Sequence, residues 1–344
     1  MKKIIFIVVL AISAVIISSA CKNPPIFAAI EQEVKLKPAS IKGFVRGVIR
    51  IGNKFYTSNG KLFYKTVGKT TEWSGMKGCP DGFCTGLASD GTNLYAAFAK
   101  NEAFTVHKYD TATSKWKQLD GLTAQTVVGT EIVFAINSVK SGSTTTYSVF
   151  AIEHGVPSTT PWRNTKFPSG AARTYCMLED GLYSKTGTKI AGSGSPTSGL
   201  KGICEGPAAS VFAFTDTTLY CYDGSTWTNI KHGVNDPQSI TYLSGRQLVL
   251  ISGKRGYGEI KLAGSNTNLT GAQSVKTGSA HSSVPSGNIH QYTNSVGKYT
   301  INPINAFDYG SGDYIIYVGV KDPNTKYTGL WGFYSFDKKE WNRE

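Results

Sequence analysis

Two hydrophobic patterns divide this chain. From Ile4 to Ile17 apolar residues run almost without a break, and nothing comparable recurs later. The rest of the chain is a long series of short apolar segments such as Leu94 to Phe98 and Tyr147 to Ile152, whose side chains alternate faces as a sheet requires. Turn signals separate them. Ser89-Asp90-Gly91-Thr92-Asn93-Leu94-Tyr95 joins two strands at an Asp-Gly turn, Glu179-Asp180-Gly181-Leu182-Tyr183 repeats the arrangement, and Asn53 to Tyr56 and Asp216 to Tyr220 do so more weakly. No long helix-forming stretch appears after the N-terminal run. The pattern predicts strands and turns throughout, and 38 Gly, 18 Tyr and 16 Phe lean the same way.

The strands recur as a phrase: a turn, a short apolar strand, a second turn, an aromatic strand ending in aromatic-Asp, then Trp a few residues on. Tyr109-Asp110 with Trp116, Tyr222-Asp223 with Trp227, and Phe336-Asp337 with Trp341 are the clear copies. Tyr64 before Trp73 and Phe150 before Trp162 are looser ones. Unit starts fall near Arg46, Gly86, Val127, Ala172, Pro207, Ile240 and Ala306, with an insertion or part of a further unit over Ala280 to Thr300. Seven units over roughly 300 residues suit the 40 to 50 residues typical of such repeats, and the four short strands of each can bury both faces only against neighbouring units. The chain from about residue 40 to 344 therefore resembles β-propellers of the general kelch and WD type, without the double glycine of strict kelch repeats or the Trp-Asp ending of strict WD repeats. The expected fold is an all-β propeller of seven four-stranded blades, with six or eight as alternatives and a pair of β-sandwiches as the competing architecture. A length of 344 residues would otherwise suggest two domains, but a closed ring can exceed about 250 residues as one unit.

Met1-Lys2-Lys3, the apolar run, and Ser18, Ser19 and Ala20 make residues 1–20 a signal peptide. Its apolar core falls short of the roughly 20 residues that span a bilayer. Ile17-Ser18-Ser19-Ala20-Cys21 resembles a lipobox, departing from the usual pattern at Ser18, where Leu is commonest; relaxed versions of this kind resemble those of spirochaetes. The resemblance implies acylation of the Cys21 thiol by palmitate-type chains, whereas ordinary cleavage after Ala20 is the competing reading. Acyl chains would hold the protein on a membrane, each buried methylene contributing about 0.8 kcal/mol. Residues 21–39, with Pro24, Pro25 and Pro38 around a charged stretch, read as a tether in which Val34 to Leu36 is a candidate closing strand.

The chain carries 36 Lys and Arg against 23 Asp and Glu, a formal net charge of +13, which is lower by two once Lys2 and Lys3 leave with the leader. Such a surface attracts anionic glycans, lipid headgroups, acidic proteins or nucleic acid over a Debye length of about 8 to 10 Å. Export removes nucleic acid from that set, and a solubilising lysine coat is the alternative. Export also favours disulfides. Cys79 and Cys84 flank Pro80-Asp81-Gly82-Phe83 and are expected to staple that loop, while Cys176, Cys204 and Cys221 leave one pair and an odd thiol with no pairing preferred.

Catalytic constellations do not assemble. Tyr222-Asp223-Gly224-Ser225-Thr226-Trp227 nearly matches the Asp box of sialidases, one spacer short, but the Arg-Ile-Pro motif of those enzymes is missing. Asp223 then reads as a turn residue and Trp227 as packing between blades. His107, His154, His232, His281 and His290 show no metal-ligand spacing, so no metal or cofactor is expected. Gly192 to Gly202 lacks the Gly-Lys-Ser/Thr order of a phosphate loop, and no Gly-x-Ser-x-Gly elbow is present. The expectation is a monomeric, non-enzymatic binding protein on the outer membrane, at the cell surface or the periplasmic face. Arg46, Arg50, Arg246, Lys254 and Arg255 are the candidate binding residues, able to make one face or the channel mouth positive. The partner expected first is a protein or anionic glycan of the host matrix, such as fibronectin, laminin or a glycosaminoglycan. A periplasmic scaffold resembling the propeller lipoprotein of outer-membrane protein assembly is the alternative, and a glycan-processing enzyme comes third.

Overall fold

A computed structural model describes residues 41–344 except 69–71, 265–266, 276–298, 311, 322–326 and 338–340. The leader, Cys21, the tether with Val34 to Leu36, His281, His290 and nearly all of the insertion lie outside the described residues.

The described residues form seven antiparallel sheets, each with its strands in sequence order from the inside outward. Blade I holds β1 Val48–Ile51, β2 Lys54–Ser58, β3 Leu62–Thr66 and β4 Ser74–Gly75. Blade II holds β5 Phe83–Ser89, β6 Leu94–Lys100, β7 Ala103–Asp110 and β8 Lys115–Gln118. In blade III, β9 Thr126–Val128, β10 Val133–Ser141 and β11 Thr144–Glu153 are followed by β12 Val156–Pro157 and β13 Trp162–Asn164, which share the outer edge of β11. Blade IV is thin, with β14 Gly170–Ala172, β15 Tyr175–Leu178 and β16 Gly181–Tyr183. Blade V holds β17 Gly202–Glu205, β18 Val211–Phe214, β19 Thr218–Tyr222 and β20 Trp227–Lys231. Blade VI holds β21 Ser239–Leu243, β22 Leu248–Gly253, β23 Gly256–Lys261 and β24 Gln273–Val275. Blade VII holds β25 Thr300–Tyr309, β26 Asp313–Lys321, β27 Gly329–Tyr334 and β28 Trp341–Arg343.

This is the expected seven-bladed propeller. Six of the seven sequence starts lie on or beside an innermost strand; Pro207 instead sits in the turn between β17 and β18, because the fifth blade already begins at Gly202. The core is divided into slices rather than gathered in one mass. Ala88, Tyr95 and Val106 meet Val133 and Ile152 between blades II and III, and Leu243, Leu250 and Tyr257 meet Ile316, Trp331 and Phe333 between VI and VII. Second strands such as β22 and β18 lie between two such slices and are buried on both faces, which explains the apolar runs Leu248 to Ile251 and Val211 to Phe214. Where inner strands converge there is no room for a side chain. A Cβ on Gly86 of β5 would run into the Thr126 side chain and lie 2.5 Å from the Val127 nitrogen of β9.

The blade tryptophans occupy outer strands or their approach. Trp116 packs into the seam between blades I and II, Trp227 into IV and V, Trp341 into VI and VII, and Trp73 into VII and I, each facing the preceding blade. Trp162 faces forward instead. Its ring stacks on Tyr183 of blade IV, with centroids 5.9 Å apart and an interplanar angle of 10°. It also covers Gly187, where φ is +82° and a Cβ would come within 2.8 Å of the indole.

Ring closure joins segments nearly 300 residues apart. The Ile41 N–H donates to the Glu344 carbonyl at 3.1 Å, the Leu330 N–H donates to the Ile41 carbonyl at 3.1 Å, and Lys42 bridges Gly329, so the first described residues extend the line of β28. Beside them a polar cluster is sealed into the seam between blades VII and I. Lys65 Nζ lies 2.8 Å from Glu344 Oε2 and 2.6 Å from the Tyr334 hydroxyl, with both charged side chains about one-twentieth exposed. Trp73 Nε1–H donates to the same carboxylate at 2.7 Å and the Tyr334 O–H donates to Glu344 Oε1 at 2.6 Å, so Tyr317 is the donor in its 3.1 Å contact with Tyr334. Burial first, and the neighbouring carboxylate second, push Tyr334 and Tyr317 well above the ordinary phenol range.

Candidate functional site

The inner strands surround a central cavity of about 640 Å³ lined by residues of all seven blades, including Arg46, Arg50, Ser89, Thr130, Ala171, Glu205, Thr241 and Asn305. Polar side chains in this wall knit the strands together. Asn305 Oδ1 accepts from the Val48 N–H at 2.9 Å, and Thr241 Oγ1 accepts from the Ala306 N–H at 3.1 Å. Arg46 and Arg50 do reach the channel, but from opposite ends of β1. Arg46 Nε–H donates to the Cys84 carbonyl at 2.9 Å, and its guanidinium lies 5.9 Å from the Phe44 ring and 5.7 Å from Phe83. Burial lowers its pKa from the usual 12.5, opposed by Cys84, and it stays cationic at neutral pH. Arg50 donates to the carbonyls of Gly52 at 3.2 Å and Asp308 at 2.6 Å.

The other three basic candidates do not form one patch. Arg246 lies on the turn between β21 and β22, over the Tyr314 ring at 5.3 Å and donating to the Gly312 carbonyl at 3.0 Å. Lys254 and Arg255 form the turn between β22 and β23. The six residues of β22 separate the two turns by about 20 Å at roughly 3.3 Å per residue. Of the two expected placements, one shared face does not hold for these three: one strand length puts Arg246 and the Lys254–Arg255 pair on opposite sides of the ring.

Those sides differ in charge. Turns from first to second and from third to fourth strands emerge on one side, the turn face; turns from second to third strands and the crossovers between blades emerge on the other, the crossover face. In the described connections and strand ends, cations outnumber carboxylates on the crossover face, Lys42, Lys61, Lys77, Lys254 and Lys321 among them. On the turn face carboxylates outnumber cations, Asp90, Asp110, Glu131, Asp223 and Asp308 among them. Exposed aromatics follow the positive charge. Phe44, Phe83 and Phe167 are all on the crossover face, as is Val139, while Val156 is on the turn side.

Several turn-face carboxylates are occupied with holding their own turns. Asp223 accepts from the Ser225 and Thr226 backbone N–H groups at 3.0 and 2.8 Å and from both of their hydroxyls. The Thr226 N–H is the largest influence holding its pKa far below the usual carboxylate range. Asp90 does the same for Thr92, Asn93 and the Tyr95 hydroxyl. The near-match to an Asp box is therefore a turn lock, and Trp227 is blade packing, as the spacing implied.

The Cys79–Cys84 staple is not present: both are free thiols. Cys84 is buried among Leu62, Ala96 and Phe98 and donates to the Gly86 carbonyl, while Cys79 donates to the Met76 carbonyl, so each sulfur is directed to its own strand or loop. Burial raises both thiol pKa values. Cys176, Cys204 and Cys221 are free as well. Cys204 and Cys221 register with Phe212 from its two sides, which sets their Cα atoms about 9 to 10 Å apart, beyond disulfide reach. His232 is buried, accepting from the Val234 N–H through Nδ1 and donating Nε2–H to the Thr215 carbonyl at 3.0 Å, a structural role. Among the described residues no His, Cys, Asp or Glu group could hold a metal ion, and no helix is long and apolar enough to cross a membrane.

The fold defines the protein as a seven-bladed β-propeller. The chain belongs to the TP013X lipoprotein family, whose model matches residues 1–344. Relatives in Treponema pallidum (strain Nichols), each described as an uncharacterized lipoprotein, include one 26% identical over 95% of this chain and 93% of its own length, and another 27% identical over 100% of both. Among solved structures, a chain of a nidogen/laminin complex aligns with 85% of this chain and 93% of its own at 9% identity and a TM-score of 0.45, a likeness too slight to bear on function. As a member of that family, the protein is a membrane-anchored lipoprotein.

Proposed function

We propose that this protein is a non-enzymatic binding scaffold, held by acyl chains on Cys21, that displays its propeller loops to a macromolecular partner at the bacterial surface. Fibronectin, laminin and glycosaminoglycans are the first partners to test. The observation that supports this reading is the unequal charge of the two faces, with the positive excess and the exposed phenyl rings together on the crossover face. Separate exposed charges contribute little each, so recognition by such a face rests on many of them acting at once and weakens with salt. The channel supports a scaffold in a second way. Its two arginines stand at opposite ends of β1, each with a bond to a backbone carbonyl, and do not converge on one point inside the channel.

The test is binding of the purified, lipid-free protein to immobilised fibronectin, laminin and heparin between about 50 and about 500 mM salt, a range that shortens the Debye length severalfold. Protease accessibility on intact cells accompanies it. Salt-sensitive binding to at least one of the three, with the protein accessible on cells, is expected. No binding to any, together with protection from protease, would transfer the scaffold role to the periplasm.

A further inference from the structure

The crossover face is not uniformly basic. Over blades V and VI its cations are interspersed with acids, and Lys201 pairs with Asp216 there. Over blades VII, I and II they concentrate: Lys42, Arg46, Lys61, Lys77, Lys100 and Lys321 stand against Asp81 and Glu102, and Asp81 is already bound to Lys100 at 2.8 Å. Two phenyl rings are set among these cations, each 53% exposed. Arg46 lies between them, 5.9 Å from Phe44 and 5.7 Å from Phe83, and Lys321 Nζ is 5.6 Å from the Phe44 centroid. The fold holds this row in place. Phe83 lies over Gly60, where a Cβ would collide with the ring, and Asn59 Nδ2–H donates to the Lys42 carbonyl at 2.8 Å.

Resting on the proposed scaffold role, we infer that this sector, centred on Phe44, Arg46, Phe83 and Lys321, is the docking site for an anionic polysaccharide bearing sulfate or carboxylate groups. Cations held against aromatic faces lose less freedom when an anion arrives than free lysines do, so the row is organised in advance for a repeating negative charge. The composition argues against a protein partner at this spot, because the cores of protein interfaces are depleted in lysine. It argues against a lipid surface too. The two exposed rings are separated by a guanidinium rather than joined in the apolar stripe that inserts between headgroups.

The experiment compares the mature, lipid-free protein with Lys61→Glu/Lys77→Glu/Lys321→Glu, with Phe44→Ala/Phe83→Ala, and with Arg246→Glu on the opposite face. Probes are heparin, dextran sulfate, neutral dextran, and vesicles of phosphatidylglycerol in phosphatidylcholine, with circular dichroism and the unfolding midpoint monitoring the fold. Expected are binding to both sulfated polymers and not to dextran, a loss of about tenfold or more in the triple variant, a smaller loss in the double phenylalanine variant, and no change for Arg246→Glu. A tenfold loss is about 1.4 kcal/mol, within reach of three exposed charge reversals. A loss in Arg246→Glu that is about one third of the triple variant's on a logarithmic scale, in proportion to the charge each changes, would mean that total charge and not this sector is read. Binding to anionic vesicles with none to the sulfated polymers would overturn the ligand class. Wild-type binding to fibronectin or laminin that the triple variant leaves intact would overturn the sector while leaving the scaffold role standing; failure against every partner would remove both the sector and the surface-binding role.

Discussion

The seam between blades VII and I and the seam between blades III and IV solve the same packing problem by opposite chemistry. At VII and I, strands distant in sequence are joined through a buried Lys65–Glu344 pair roofed by Trp73, Tyr334 and Tyr317. At III and IV, neighbours in sequence meet through Phe134, Val149, Cys176 and Leu178, with Trp162 stacked on Tyr183. An apolar seam is tolerant of small shifts, because dispersion and hydrophobic burial have little directionality. A buried ion pair is not tolerant: either charge alone is costly in the interior, so the pair favours one register of closure. Polar bonds cross other seams as well, Arg173 to Glu131 between blades III and IV among them, but there the ion pair is partly exposed, whereas the pair at the closure is sealed from solvent.

The largest effect should come from breaking that pair on one side. Lys65→Met leaves the Glu344 carboxylate buried without its cation and is expected to cost about 3 to 5 kcal/mol in urea unfolding, whereas Lys65→Met/Glu344→Leu should recover much of it. Equal destabilisation in the single and double variants would show that packing, and not the ion pair, distinguishes this seam. Next come the tryptophans of apolar seams. Trp227→Ala and Trp341→Ala each empty a buried aromatic site and should cost about 3 to 5 kcal/mol. Trp116→Ala should cost clearly less, since Trp116 is half-buried. Three equal unfolding midpoints would contradict that ordering.

The smallest expected effect is one of pH. Burial is the main influence lowering the pKa of His232, opposed by the Thr215 carbonyl and Asp216, and burial also lowers that of His107. A histidine with a depressed folded pKa binds fewer protons folded than unfolded. Its contribution is therefore complete above the unfolded value near 6.5 and is lost as pH falls through that value toward the lower folded one. Carboxylates with lowered pKa values, such as Asp90 and Asp180, add their own loss only below about pH 4. A thermal midpoint that declines from pH 7.5 to 5.5, and declines less in His232→Gln, is the expected result; identical slopes would place the pH response elsewhere.

Much of the ring was legible because its signals are local. Asp90-Gly91 and Asp180-Gly181 mark turns, and the aromatic-Asp phrase followed by Trp marks the outer half of a blade wherever it occurs. Trp162 shows where such reading stops. It follows its strand as the others do, yet blade III divides its outer edge between β12 and β13, and the indole turns toward Gly187 of the next blade. The binding surface was less legible. Arg246 and Lys254 are eight positions apart, and only the direction of β22 assigns them to opposite faces. Lys61 lies in the turn between β2 and β3, Lys77 on the crossover from blade I to blade II and Lys321 at the end of β26, and ring closure is what brings them into one sector.

Alone, then, the sequence determined a lipoprotein-like leader pattern, an all-β chain and a propeller-type repeat of about seven units with six or eight left open, since alternation, turn chemistry and periodicity act over a few residues at a time; the structure fixed the count at seven. The tertiary structure decided which charges share a face, that Cys79 and Cys84 turn to separate backbone partners, and that Glu344 meets Lys65 across the closure. Those relations depend on strand direction and ring geometry, which bring together side chains up to 279 positions apart, and no local pattern in the chain encodes them.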